Sequence, residues 1–230
     1  MNKWPKQLSP LSEEQKRIKD DFMKYWHEVL PRRYGFIERF NHGFPVRNAR
    51  PGGRVLEIGA GLGEHIAYEN LSGTEYYALE LRPEMAEVIK KRFPNARTVI
   101  GDCQKRLDFP DNYFDRVLAI HVLEHLPDLP STVKEVRRLL KPGGQFQVVI
   151  PCEGGLAYSL ARRISARRIF EKRYKMSYDW CIGSEHINVP QEIFEELGPY
   201  FEIEKKSFFP LKVPFVFCNL VIGLNLKPKK

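Results

Sequence analysis

Val55-Leu56-Glu57-Ile58-Gly59-Ala60-Gly61-Leu62-Gly63 runs from an apolar strand into glycines at every second position. Glycines there let the turn take positive φ and let a ligand lie against main-chain N–H groups at the N-terminus of a following helix. A dinucleotide fingerprint places its third glycine three residues after the second, but here Gly63 follows Gly61 by two and Glu64 holds the expected place. Two carboxylates sit downstream: Glu80 closes the next predicted strand, and Asp102 follows the third in Gly101-Asp102-Cys103. In an open α/β sheet ligands bind beside the C-terminal strand ends, where a carboxylate can accept both hydroxyls of a ribose. Helix capping is the plain structural alternative for both acids.

Outward from this loop the hydrophobic period switches repeatedly between two and 3.6. It predicts strands at 54–58, 75–80, 96–100, 115–120 and 145–150, and helices at 64–69, 83–93 and 131–140. Upstream, Ile18, Phe22, Trp26 and Leu30 recur at steps of four behind a capping box of Ser12 and Gln15, predicting a helix over 12–30. A turn-rich, aromatic connector is expected over 31–51. After Pro151 the alternation breaks until a helix at 190–197 and two strands at 201–208 and 215–226. Strands this apolar, joined by crossover helices, imply a parallel sheet covered on both faces.

At 230 residues, 43% hydrophobic and 29% charged, the chain can bury a full core without staples. Its four cysteines, 103, 152, 181 and 218, form no CxxC pair, which excludes a local zinc knuckle or redox motif and suits a reducing cytoplasm. The opening residues lack the apolar core of a secretory signal. Residues 213–226 are too short and too polar to span a bilayer, so a buried strand is expected there. The net charge of +8 is concentrated: residues 156–175 hold seven bases and one acid, leaving +2 for the rest. Leu156, Leu160, Ile164 and Phe170 or Tyr174 recur between the arginines, predicting a basic amphipathic helix. Its basic face suits solvent, an anionic substrate or a membrane surface.

Five blocks in order, VLEIGAGLGEH (55–65), ALEL (78–81), GDC (101–103), FDRVLAIHVLEHL (114–126) and LLKPGGQF (139–146), resemble class I S-adenosylmethionine-dependent methyltransferases, specifically the small-molecule group with the methyltransferase-11 pattern. The resemblance covers about 54–151. It implies an α/β, Rossmann-like, seven-stranded and mostly parallel sheet flanked by helices with its last strand antiparallel, preceded by an N-terminal helical segment and interrupted by a helical insertion after the fifth strand. The expected organisation is a lid and connector over 1–50, a cofactor core over 51–151, a basic aromatic insertion over 152–187 lying on the acceptor, and a closing helix and two strands over 188–230. The cofactor implied is S-adenosyl-L-methionine. Glu57 with Gly59, Gly61 and Gly63 would hold its methionine end, Glu80 its ribose hydroxyls, and Asp102 with Cys103 its adenine edge, with Ala60 and Leu81 as further cofactor contacts. Ile120 and His121 would line the methyl-donor side.

Methyl transfer needs an acceptor lone pair held in line and, for a hydroxyl, a base to take its proton. His121, Glu124 and His125 stand at i, i+3 and i+4 after the fourth strand, and His186 follows the insertion. The catalytic candidates are therefore His186, His121 and His125. Bracing of the turn is the structural alternative, and a His/Glu metal set the less favoured one; no metal is expected. Arg162, Arg163, Tyr174 and Trp180 are the candidate acceptor contacts. The insertion also resembles, more weakly, methyltransferases of surface-glycan biosynthesis, so the expected acceptor is a small, nucleotide-linked or lipid-linked anionic molecule such as a glycan sugar, O-methylated in the cytoplasm or at the inner face of the membrane. RNA methylation has only the net charge in its favour, so nucleic acid is not an expected partner. A non-catalytic binding or membrane-associated protein of the same fold is the remaining reading; oligomeric state is open.

Overall fold

The structure is a computed structural model describing residues 3–50 and 52–229, without the side chains of 27–32. Its elements are α1 (Glu13–Asn48), β1 (Gly53–Ile58), β2 (Thr74–Glu80), α2 (Pro83–Arg92), β3 (Arg97–Ile100), β4 (Phe114–Ile120), α3 (Leu129–Leu139) and β5 (Leu140–Pro151), then α4 (Leu156–Arg162), α5 (Arg168–Tyr174), α6 (Asp179–Glu185), α7 (Pro190–Leu197), β6 (Phe201–Phe209) and β7 (Val221–Pro228). The seven strands form one sheet in the order β3-β2-β1-β4-β5-β7-β6. β1 pairs in parallel with β2 on one side and β4 on the other, so strand order reverses at β1/β4. That reversal opens a crevice at the C-terminal strand ends. β7 is antiparallel to both β5 and β6, as the resemblance implied.

Side chains alternate across the sheet with period two. On one face Leu56, Ile58, Val117, Phe146 and Val148 pack under α3 and α7 through Leu129, Val133, Val136 and Ile193. On the other Val55, Tyr76, Ala78 and Leu118 meet Ile66 and Ile89. α2 carries Pro83 in its first turn, where a missing N–H costs nothing, and three bases in its last, where they complement the helix dipole.

The structure corrects four expectations. The connector over 31–51 does not exist as such: α1 continues to Asn48, with a non-helical break at Tyr34. Phe44 makes this helix part of the core with Val149 and Val221, and Ile37 and Phe40 pack against them. Burial against the sheet outweighs the local cost of Gly35, Gly43 and Pro45. Residues 64–69 form turns and a short 3-10 segment, Ile66–Tyr68, in place of a helix. The last strand begins at Val221, after a 3-10 turn at Val216–Cys218. The basic helix does form, α4 and α5 being joined through a π-helical turn, Arg163–Arg167. Its apolar set divides: Phe170, with Ala166, is covered, whereas Leu156, Leu160 and Ile164 are exposed.

Candidate active site

The loop after β1 turns through Gly59, Gly61 and Gly63, all at positive φ. A Cβ on Gly59 would stand 2.6 Å from the Val122 side chain and one on Gly63 2.8 Å from the Phe93 ring. These two glycines seat the loop on the body of the protein. A Cβ on Gly61 would stand 3.1 Å from Glu64 Oε2, the end of a side chain and not the body of the protein. Ala60 donates its N–H to the Leu79 carbonyl at 3.0 Å, tying the loop to β2. The Gly61 N–H reaches Glu80 Oε2 at 2.9 Å, while Arg82 donates its main-chain N–H and Nε–H to Oε1. Glu80 is 3% exposed and Leu81 beside it 61%, an apolar side chain left open at the strand ends.

Glu57 lies beneath the loop, buried, with Tyr76 donating its hydroxyl to Oε2 at 2.8 Å. Burial pushes its carboxyl up to about 8, against the pull of that hydrogen bond. Asp102 remains part-exposed and accepts from the Gln104 main chain and side chain through Oδ1. Cys103 follows it, with Thr132 donating to its sulfur at 3.8 Å and the residue packing on the core. Ile120 ends β4 against the C-terminal half of α1.

The three candidate histidines converge. His121 has positive φ, its N–H held by the Val149 carbonyl, and its Nδ1 is 3.0 Å from Glu124 Oε1. Glu124 is 1% exposed and its Oε2 has no hydrogen-bond partner. Burial raises this carboxyl, but His121, His125 and His186 together hold it below its ordinary range. His125 is a brace: its Nδ1 donates to the Glu185 carbonyl at 2.8 Å. Burial lowers its pKa, yet Glu185 and Glu124 raise it further, favouring a charged ring over a proton acceptor. His186 places Nδ1 2.8 Å from Glu153 Oε2, its ring 5.1 Å from that of His125 and 6.3 Å from that of Tyr158. Asn188 clamps this segment, donating through Nδ2 to the carbonyls of Leu123 and Leu126, while the Ile187 and Asn188 N–H groups bond the Glu124 carbonyl. Among the described residues, no group of three His, Cys, Asp or Glu is placed to hold a metal ion.

The expected acceptor contacts separate. Arg162 turns onto Glu153, at 2.6 Å from both carboxylate oxygens. Arg163 is exposed on the outer surface. Tyr174 and Trp180 belong to an aromatic cluster with Phe22 and Phe170 that joins α1 to the insertion, and Tyr174 donates its hydroxyl to Asp21. Both rings thus pack between α1 and the insertion. Conversely α1 brings in residues that sequence reasoning missed. Glu38, Asn41 and His42 lie together at i, i+3 and i+4, and His42 Nε2 is 3.2 Å from Glu38 Oε2. Asn41 Oδ1 and His42 Nδ1 are buried without partners. Burial raises the Glu38 carboxyl, but His42 and the nearby charge of His121 bring it below its ordinary range. Their spacing on a helix was legible, but only if 31–51 had been read as helical. A cavity of about 490 Å³ lined by Gly53, Arg54, Thr74 and Lys141 lies at the opposite, N-terminal strand ends and takes no part in this arrangement.

Residues 56–148 match the methyltransferase domain family. The sterol 4-C-methyltransferase of Caenorhabditis elegans is 35% identical over 99 residues, 40% of this chain and 29% of that protein. The ubiquinone/menaquinone biosynthesis C-methyltransferase of Burkholderia mallei is 36% identical over 109 residues, 44% of either chain. The chain thus spans less than half the length of these curated relatives. A solved protein of Pyrococcus horikoshii aligns with 90% of this chain and 99% of its own at TM-score 0.67 and 20% identity. The 1,6-didemethyltoxoflavin-N1-methyltransferase of Burkholderia thailandensis, solved with 1,6-didemethyltoxoflavin and S-adenosylhomocysteine bound, aligns with 96% of this chain and 93% of its own at TM-score 0.60 and 18% identity. At such identities the likeness is one of fold. The cradle around Glu80 and Gly61 suits a nucleoside, and the match of residues 56–148 to the methyltransferase domain family indicates a methyltransferase that uses S-adenosylmethionine.

Proposed function

We propose that this chain methylates a small or lipid-carried acceptor from which a proton must be removed. One observation carries the reading: a buried carboxylate, Glu80, stands at the Gly61 N–H where the parallel strands diverge, with exposed Leu81 beside it. When bound, S-adenosylmethionine supplies an electrophilic methyl group on a sulfonium sulfur. The chain supplies position and proton handling. Glu80 accepts the ribose hydroxyls, Leu81 covers the adenine face, Asp102 meets its edge, and Glu57 with the loop from Gly59 to Gly63 receives the methionine end. Glu124 fixes the proton of His121 on Nδ1, leaving Nε2 to accept a proton from the acceptor, and His186 with Glu153 forms a second imidazole–carboxylate pair on the lid side.

Two of the relatives are named for carbon methylation, one of a sterol and one in ubiquinone and menaquinone biosynthesis. Apolar ring acceptors therefore stand beside the glycan sugar hydroxyl as the class to test. Either an O–H or an acidified C–H must lose its proton as the new bond to carbon forms, so either uses the same base.

Calorimetric titration with S-adenosylmethionine tests the cofactor site. We expect binding that Glu80→Ala weakens about tenfold or more, since a buried charged acceptor is lost. No binding by the parent chain, or undiminished binding by the variant, would overturn the assignment. For the acceptor, labelled methyl transfer is followed with demethylated quinones and with lipid- or nucleotide-linked sugars. His121→Ala should abolish turnover on the true acceptor and keep cofactor affinity; full activity in that variant would remove His121 as the base.

A further inference from the structure

Half of the fourteen large apolar residues exposed among the described residues come from two short segments. Leu156, Leu160 and Ile164 form a stripe at i, i+4 and i+8 along the helical run 156–174. Leu211, Val213, Phe215 and Phe217 alternate along the loop between β6 and β7, the two phenylalanines each 64% exposed. The segments touch: Gly155 lies so close to the loop that a Cβ there would stand 2.5 Å from the Val216 carbonyl oxygen. The loop is built. Asn219, fully buried, accepts from the Leu211 N–H at 2.9 Å and donates through Nδ2 to the Val213 and Phe215 carbonyls, also at 2.9 Å.

Basic residues frame this apolar surface. Arg162, Arg167 and Arg173 are paired with Glu153, Asp179 and Asp21. Arg163, Arg168, Lys172 and Lys212 are exposed and have no ion-pair partner among the described residues. Ser159, Arg162, Arg163 and Arg167 line a shallow depression on the same helical run. No described helix is long and apolar enough to cross a membrane.

We infer that the 156–174 helix and the 210–219 loop dock this chain on the interface of an anionic lipid bilayer, the apolar residues entering the acyl boundary and the unpaired bases meeting head-group phosphates. A second copy of the chain is a poorer occupant, because it would set these uncompensated bases against their own copies. Docking also orients the site. Tyr158 and Arg162 of the same helix stand beside His186 and Glu153, so the docked face adjoins the acceptor side. The inference rests on this surface alone and holds whatever the reaction is.

Flotation of the full chain with vesicles of phosphatidylcholine, with and without phosphatidylglycerol, tests it. Binding is expected to the anionic vesicles, to weaken as salt rises, and to be at least about tenfold lower for L160S/I164S/F217S. Arg163→Gln with Arg168→Gln should weaken binding and flatten its salt dependence. Circular dichroism and S-adenosylmethionine titration of each variant show that fold and cofactor site are intact. Failure to float with anionic vesicles, equal binding by the folded apolar variant, or a parent dimer that this variant dissolves without any vesicle binding would each overturn the proposal.

Discussion

Glu57 is a carboxyl whose burial dominates its chemistry. It sits at about 8 in the folded chain and ionises near 4.5 when exposed. Between those values the folded state keeps a proton that the unfolded state has lost, so this residue's contribution to stability declines as pH rises through that window. Glu57→Gln should therefore raise Tm at pH 8 and leave it almost unchanged at pH 4; a gain that does not vary with pH would show that the carboxyl is not the cause. Glu124 is the opposite case, a buried acid kept charged by three imidazoles. As a positioning residue it is tested through His121. Glu124→Gln should lower kcat at least about tenfold, move the limb of the pH–rate profile that reports the base, and leave cofactor affinity alone. An unshifted profile with a uniform loss would mean that Glu124 only braces the turn.

At the scale of elements, α1 decides both packing and site. The Phe44 ring lies on β7 because Gly223 has no Cβ to oppose it; an added one would stand 2.6 Å from a ring carbon. Phe44→Ala should cost about 3–5 kcal/mol in urea unfolding and Gly223→Ala about 1–3 kcal/mol. The double variant should cost less than their sum, since the ring that the new methyl strikes is gone; strict additivity would mean that the two do not share a contact. The same helix carries Glu38, Asn41 and His42 toward His121 and Phe22 into the aromatic cluster of the insertion. None of this is local: glycines and prolines over 31–51 carry turn propensity, and only the apolar sheet opposite makes helix the better solution for 35–48.

Over the whole molecule, two ionic knots tie distant segments and govern its behaviour in acid. Burial raises Glu69, but hydrogen bonds from His65 and Arg116 bring it to about 2, joining the turn after β1 to β4. Burial likewise raises Glu185, but His125 and Lys19 bring it to about 2, joining the insertion to α1 and to the turn after β4. Both contribute stability that is complete above the ordinary carboxylate value of 4.5 and is lost as pH falls from there towards 2. Circular dichroism against pH should show unfolding steepening across that interval, and Glu69→Gln should flatten it while lowering stability at pH 7. An acid profile identical to that of the parent would separate Glu69 from acid unfolding.

The sequence by itself determined the alternating core, the parallel sheet, and the gathering of Gly59, Gly61, Gly63, Glu80 and Asp102 at the C-terminal strand ends. These are short-range facts: strand period, glycine at positive φ and a carboxylate at a strand end are written within a few residues of one another. Tertiary structure alone decided that 31–48 is helical, that Tyr174 and Trp180 pack between α1 and the insertion, that His125 bonds the Glu185 carbonyl, and that Leu156, Leu160 and Ile164 face outward. Each of these depends on what the fold places opposite a residue, and periodicity along one chain carries no record of that partner.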